Sequence, residues 1–162
     1  MHRLLAAALL SSFALPAAAE VYLSRCKMEE CVYYDQTNRQ MVGEGSTAVP
    51  GKLVSVRLRA AATYGAPQPA AAALEWDAPA TIRFFCSPVR PAYEEGEGSG
   101  SFQVINLAEP WGPREMVSVM YLHACHPEAA RGSDDVGATL RKLGYGVEAE
   151  RSYPSFTALI RK

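Results

Sequence analysis

The sequence predicts an α+β domain: a curled antiparallel sheet of about five or six strands, with two helices packed on one face and disulfide staples holding it. Three observations carry this. Alternating apolar runs dominate the first two thirds of the chain, helix signals are confined to the last third, and cysteines stand at positions 26, 31, 86 and 125. Strands followed by helices, without regular strand and helix alternation, build an α+β layer pair and not a parallel nucleotide-binding sheet.

The chain has 162 residues, with 16 Lys plus Arg against 17 Asp plus Glu, a formal charge of -1. That balance suits one globular domain and excludes a disordered acidic or basic chain. It also lacks the basic footprint a phosphate backbone demands, so nucleic acid is not an expected partner.

Residues 1–19 read as a secretory signal peptide: Arg3, an apolar run from Leu4 to Leu15, and the small residues Ala17, Ala18 and Ala19 before Glu20. The run is shorter than the roughly 20 residues a membrane span needs, and no later window is long and apolar enough to cross a membrane. The expected product is residues 20–162, one exported domain in the periplasm or outside the cell, with no transmembrane segment.

In an oxidising compartment an even number of cysteines implies bridges. Val21–Arg25 and Val32–Asp35 read as hairpin strands around a Lys27–Glu30 turn, which sets Cys26 opposite Cys31. That pairing leaves Cys86 with Cys125. A soft Cu(I) clamp from Cys26, Met28 and Cys31 is the rival, and the four-residue spacing between the cysteines argues against it.

Further along, Met41–Val42 reads as a short strand and Lys52–Tyr64 as the clearest one, with Val54, Val56, Leu58, Ala60 and Ala62 on one face and Ser55, Arg57 and Arg59 on the other. Ala72–Trp76 reads as a strand after a Pro-punctuated loop, then Thr81–Ser87, an acidic glycine-rich loop holding Glu94, Glu95 and Glu97 as a solvated tip, and Phe102–Leu107. Pro113 opens a buried helix running to His126. Ser133 is the expected N-cap of a second helix with Val136, Leu140 and Leu143 on one face, ending at Gly144.

Three function classes follow. The first is a non-enzymatic, inhibitor-like accessory domain that binds another envelope or extracellular protein and needs no cofactor. Its predicted surface is an arginine-lined sheet face of Arg57, Arg59 and Arg83, with Tyr33 beside it, since exposed arginine and tyrosine are enriched at protein interfaces. On this reading, reversing the charge of both Arg57 and Arg59 leaves stability nearly unchanged. The second class is extracytoplasmic Cu or Zn binding by His123, His126, Met116 and Met120, because His123 and His126 sit three residues apart on a helix. The structural alternative there is an imidazole at a helix end beside a bridged Cys125. The third is a hydrolase using paired carboxylates. Nucleophile-elbow, phosphate-loop and dinucleotide motifs are absent from the sequence.

Overall fold

A computed structural model describes residues 20–65 and 73–161. The predicted signal peptide and most of the Pro-punctuated loop lie outside the described residues. The fold is α+β, with one open antiparallel sheet of seven strands in chain order: β1 (Glu20–Lys27), β2 (Glu30–Glu44), β3 (Lys52–Tyr64), β4 (Ala80–Cys86), β5 (Ala92–Glu94), β6 (Phe102–Val104) and β7 (Ser152–Tyr153). Among the described residues four short helices accompany it: α1 (Pro113–Cys125), α2 (Pro127–Ala130), α3 (Val136–Lys142) and α4 (Phe156–Leu159).

The alternation of β3 divides the core between the two sheet faces. Val54, Val56 and Leu58 join Phe84 of β4 and Tyr34 of β2 in the main core, against Val119, Met120, Leu122 and Leu140 from the helices. On the opposite face, Leu53 and Phe85 pack with Phe102 and Leu159 at one end. At the other end, Tyr33 and Ala61 pack with Leu74 and Trp76. Between these two end clusters the second face carries its charged residues.

The first hairpin forms as the sequence implies, Cys26 pairing directly with Cys31 and Lys27 with Glu30. Only Met28 and Glu29 remain in the turn, both with positive φ (53° and 66°), the sign pattern of a type I′ turn without glycine. Both predicted disulfides are present, with Cα atoms 4.1 Å apart for Cys26–Cys31 and 5.4 Å for Cys86–Cys125. No helix among the described residues is long and apolar enough to cross a membrane.

Several local expectations need correction. Met41–Val42 is no separate strand, because a bulge between Thr37 and Gln40 lets β2 continue along β3. Residues 73–79 form no strand; Asp77 N–H donates to Ala60 O, and the segment lies over the sheet as a cover. Asp135, not Ser133, caps α3, its Oδ1 accepting from Ala138 N–H at 2.8 Å, while Ser133 Oγ contacts Thr139 Oγ1. Leu143 is exposed, since the helix ends there and the chain reverses through Gly144 at φ 93°. The tail, ambiguous in sequence, supplies β7 and α4.

Candidate functional site

The charged strip on the second sheet face is built by register. Asp35 pairs with Arg59 and Thr37 with Arg57 across β2 and β3, while Arg57 pairs with Thr81 and Ser55 with Arg83 across β3 and β4. The three predicted arginines therefore do share one face. Their chemistry differs. Arg59 Nη2 lies 2.6 Å from Asp35 Oδ2, and its guanidinium sits 4.8 Å from the Trp76 ring centroid. Arg83 donates through Nε to Glu94 Oε2 at 2.6 Å and through Nη2 to the other oxygen, and stacks over Phe102.

Glu94 is thus no solvated tip: it is 3% exposed and also accepts from Gly100 N–H. The Arg83 hydrogen bonds hold its carboxyl below the usual range against the opposing effect of burial. Tyr33 is likewise not at the surface; it packs under Leu74 and Trp76, and its hydroxyl finds no partner. Arg57 alone of the three arginines is exposed and makes no ion pair among the described residues. It borders a hollow of about 270 Å³ together with Asp35, Thr37, Asn38, Arg59 and Pro79. Asp35 is 5% exposed, and its Oδ1 has no hydrogen-bond partner. Asn38 adopts φ 51° at the β2 bulge, a conformation asparagine tolerates better than most side chains.

The residues proposed for metal do not form one ligand set. His123 stacks on Tyr22, with centroids 3.6 Å apart and planes 5° off parallel. Its Nδ1 is 3.2 Å from Glu20 Oε1 but out of line for a hydrogen bond. His126 ends α1 and places Nε2 2.7 Å from Tyr145 OH, which in turn lies 3.1 Å from Tyr121 OH. The Tyr121 hydroxyl donates to Phe85 O and accepts from Ser87 N–H, so this chain encloses the backbone beside Cys86. Met116 Sδ accepts from Tyr34 OH, and Met120 packs in the main core. Burial lowers both imidazoles; for His126 the Arg39 charge adds to it, and for His123 Glu20 opposes it. Among the described residues no three His, Cys, Asp or Glu gather as a metal site.

A cavity of about 790 Å³ opens elsewhere, between β1 and the helices. Ser24 and Arg25 line one side, Val119 and His123 of α1 another, and Glu109 and Asp134 also border it. Sequence reading missed Asp35, Glu94 and Ser24. The first two are acids across from arginines, a signal available only once strand register is known, and Ser24 owes its place to a bulge between Leu23 and Arg25.

Comparison with known proteins returns nothing similar. No family model, curated protein or solved structure matches this chain.

Proposed function

We propose that this chain is an exported binding domain that acts on a partner protein, docking an acidic group of that partner at Arg57. The carrying observation is the inequality among the arginines. Arg59 and Arg83 are neutralised by Asp35 and Glu94, whereas Arg57 stands exposed at the rim of a hollow with no ion-pair partner among the described residues. A guanidinium is well suited to a carboxylate because its planar fork can donate two parallel hydrogen bonds to the two oxygens. Export rests on the leader-like composition of residues 1–19 and agrees with two disulfides.

The carboxylate-hydrolase reading is less well supported. Asp35 and Glu94 are the buried acids among the described residues, and each is held by an arginine. A carboxyl whose ionised form is favoured, as for Glu94, is a poor proton donor near neutral pH.

The test is capture from an envelope extract on immobilised wild type and on Arg57→Glu, with mass spectrometry of what is retained. A protein retained by the wild type, released by salt and lost on the variant supports the reading. Equal retention on both removes Arg57 from the interface, and no specific retention by the wild type sinks the binding function.

A further inference from the structure

We propose that the groove between the free edge of β1 and helix α1 binds a short extended peptide carrying a basic side chain, which adds as a strand along Glu20–Arg25. This site is separate from Arg57 and does not depend on the reading above. In the sheet order β1 to β7, β1 has a strand neighbour on one side only among the described residues, which leaves one row of its backbone groups to pair with an added strand. Facing it, Glu115, Val119, Leu122 and His123 fall at i, i+4, i+7 and i+8, one stripe of α1, and all four line the cavity. A strand edge beside a helix, with room of about 790 Å³ between them, is the geometry by which peptides are recognised through strand addition.

The unpaired polar atoms indicate what kind of occupant fits. Ser24 Oγ and Arg25 Nε are buried without hydrogen-bond partners and border the groove, and His123 Nδ1, also on its wall, has only the Glu20 carboxylate at 3.2 Å, out of line for a hydrogen bond. Ser24 and His123 are each only 9% exposed. Buried polar groups in native proteins are almost always satisfied by protein or water, so these atoms are ones that a second molecule seated in the groove can satisfy. An Nε–H only donates, a hydroxyl does both, and an imidazole nitrogen does either according to its tautomer. An anion could accept from all three, but the net negative charge of the groove opposes it. A peptide backbone offers one donor and one acceptor per residue, which matches a mixed set.

Charge then selects the side chain. Arg25 pairs with Glu30 and Glu115 with Lys27, which leaves Glu109, Asp134 and Asp135 against Arg141, whose hydrogen bond to the neutral Ala108 O does not cancel its charge, so the groove is net negative. Glu109 and Asp134, both exposed at the groove, make no ion pair among the described residues. The uncommitted charge of the lip is negative and favours Lys or Arg on the peptide. The bulge between Leu23 and Arg25 interrupts the edge, so the added strand is short.

A positional-scanning hexapeptide library tests this on the folded, oxidised protein, followed by amide NMR with the best peptide it selects. Selection of Lys or Arg at one position flanked by alternating apolar residues is expected, with shifts and slowed amide exchange at Val21–Arg25 and shifts at Val119 and His123. The double variant Glu109→Lys/Asp134→Lys, altered only at exposed positions, should bind at least tenfold more weakly, as should Val119→Trp, which fills the groove. No selected sequence, selection of acidic residues, shifts centred on Arg57, or unchanged affinity in the double lysine variant would each overturn the proposal. A misfolded Val119→Trp leaves the lysine variant to decide.

Discussion

Arg83 on β4 and Glu94 on β5 form a two-pronged ion pair on the sheet face away from α1, with Nε 2.6 Å from Oε2 and the carboxylate 2% exposed. The pair joins a short strand to the sheet, and the Phe102 ring lies beneath the guanidinium. Removing one partner strands a buried charge, whereas removing both leaves none. Arg83→Met should therefore lower stability by about 3 kcal/mol in urea unfolding, and Arg83→Met/Glu94→Leu should recover much of that loss. Equal stability of single variant and wild type would show that the pair is solvated.

The two imidazoles set the response to mild acid. His123 and His126 both titrate below the ordinary imidazole value because of burial, so the unfolded chain takes up protons first. The stability they contribute is complete above about pH 6.5 and is lost as pH falls from there through their folded values. Glu94, lowered in the folded state, acts in a separate window: its contribution is complete above the ordinary carboxyl range and is lost only in stronger acid. The melting temperature should fall between pH 7.5 and pH 5, and a double His123→Gln/His126→Gln variant should show a flatter profile. Imidazole titrations by NMR at or above the ordinary value would contradict the assignment.

Much of the fold was legible because its signals are local. Alternation on β3, the Cys26–Cys31 hairpin, Pro113 at the start of α1 and Gly144 after α3 each depend on neighbours in sequence. The failures depend on partners distant in sequence. Residues 73–76 look like a strand, but they cover Tyr33 and Ala61 and so bury the tyrosine predicted at the surface. Glu94 reads as one of three acids in a loop until β4 and β5 pair and set it against Arg83. The arginine face was readable as a face; which of its charges remained free was not.

The disulfides should differ in worth. Cys86–Cys125 closes a separation of 39 residues and ties β4 to α1, whereas Cys26–Cys31 closes a separation of 5. Chain entropy assigns about 4 kcal/mol to the first and about 2 kcal/mol to the second. Cys86→Ala/Cys125→Ala should thus lose more stability than Cys26→Ala/Cys31→Ala, measured by urea unfolding. Non-reducing peptide mapping checks the pairing itself, and a peptide linking Cys26 or Cys31 to Cys86 or Cys125 would refute the hairpin register.

Arg59, paired with buried Asp35, should respond to charge reversal differently from Arg57, whereas the sequence alone implied that reversing both leaves stability nearly unchanged. Arg59→Glu would place a second carboxylate against buried Asp35 and should cost about 3 kcal/mol. Arg57→Glu, at an exposed position with no partner among the described residues, should change stability by no more than about 0.5 kcal/mol. Thermal unfolding of the two single variants tests the contrast, and matching losses would mean that Arg57 carries a structural ion pair.

The association rate of the captured partner with wild type and with Arg57→Glu, measured over rising salt, tests the binding function most directly. Docking of an acidic group at Arg57 predicts slower association for the variant and a flatter salt dependence, with the melting temperature unchanged. Identical rates and salt slopes for the two proteins would contradict it.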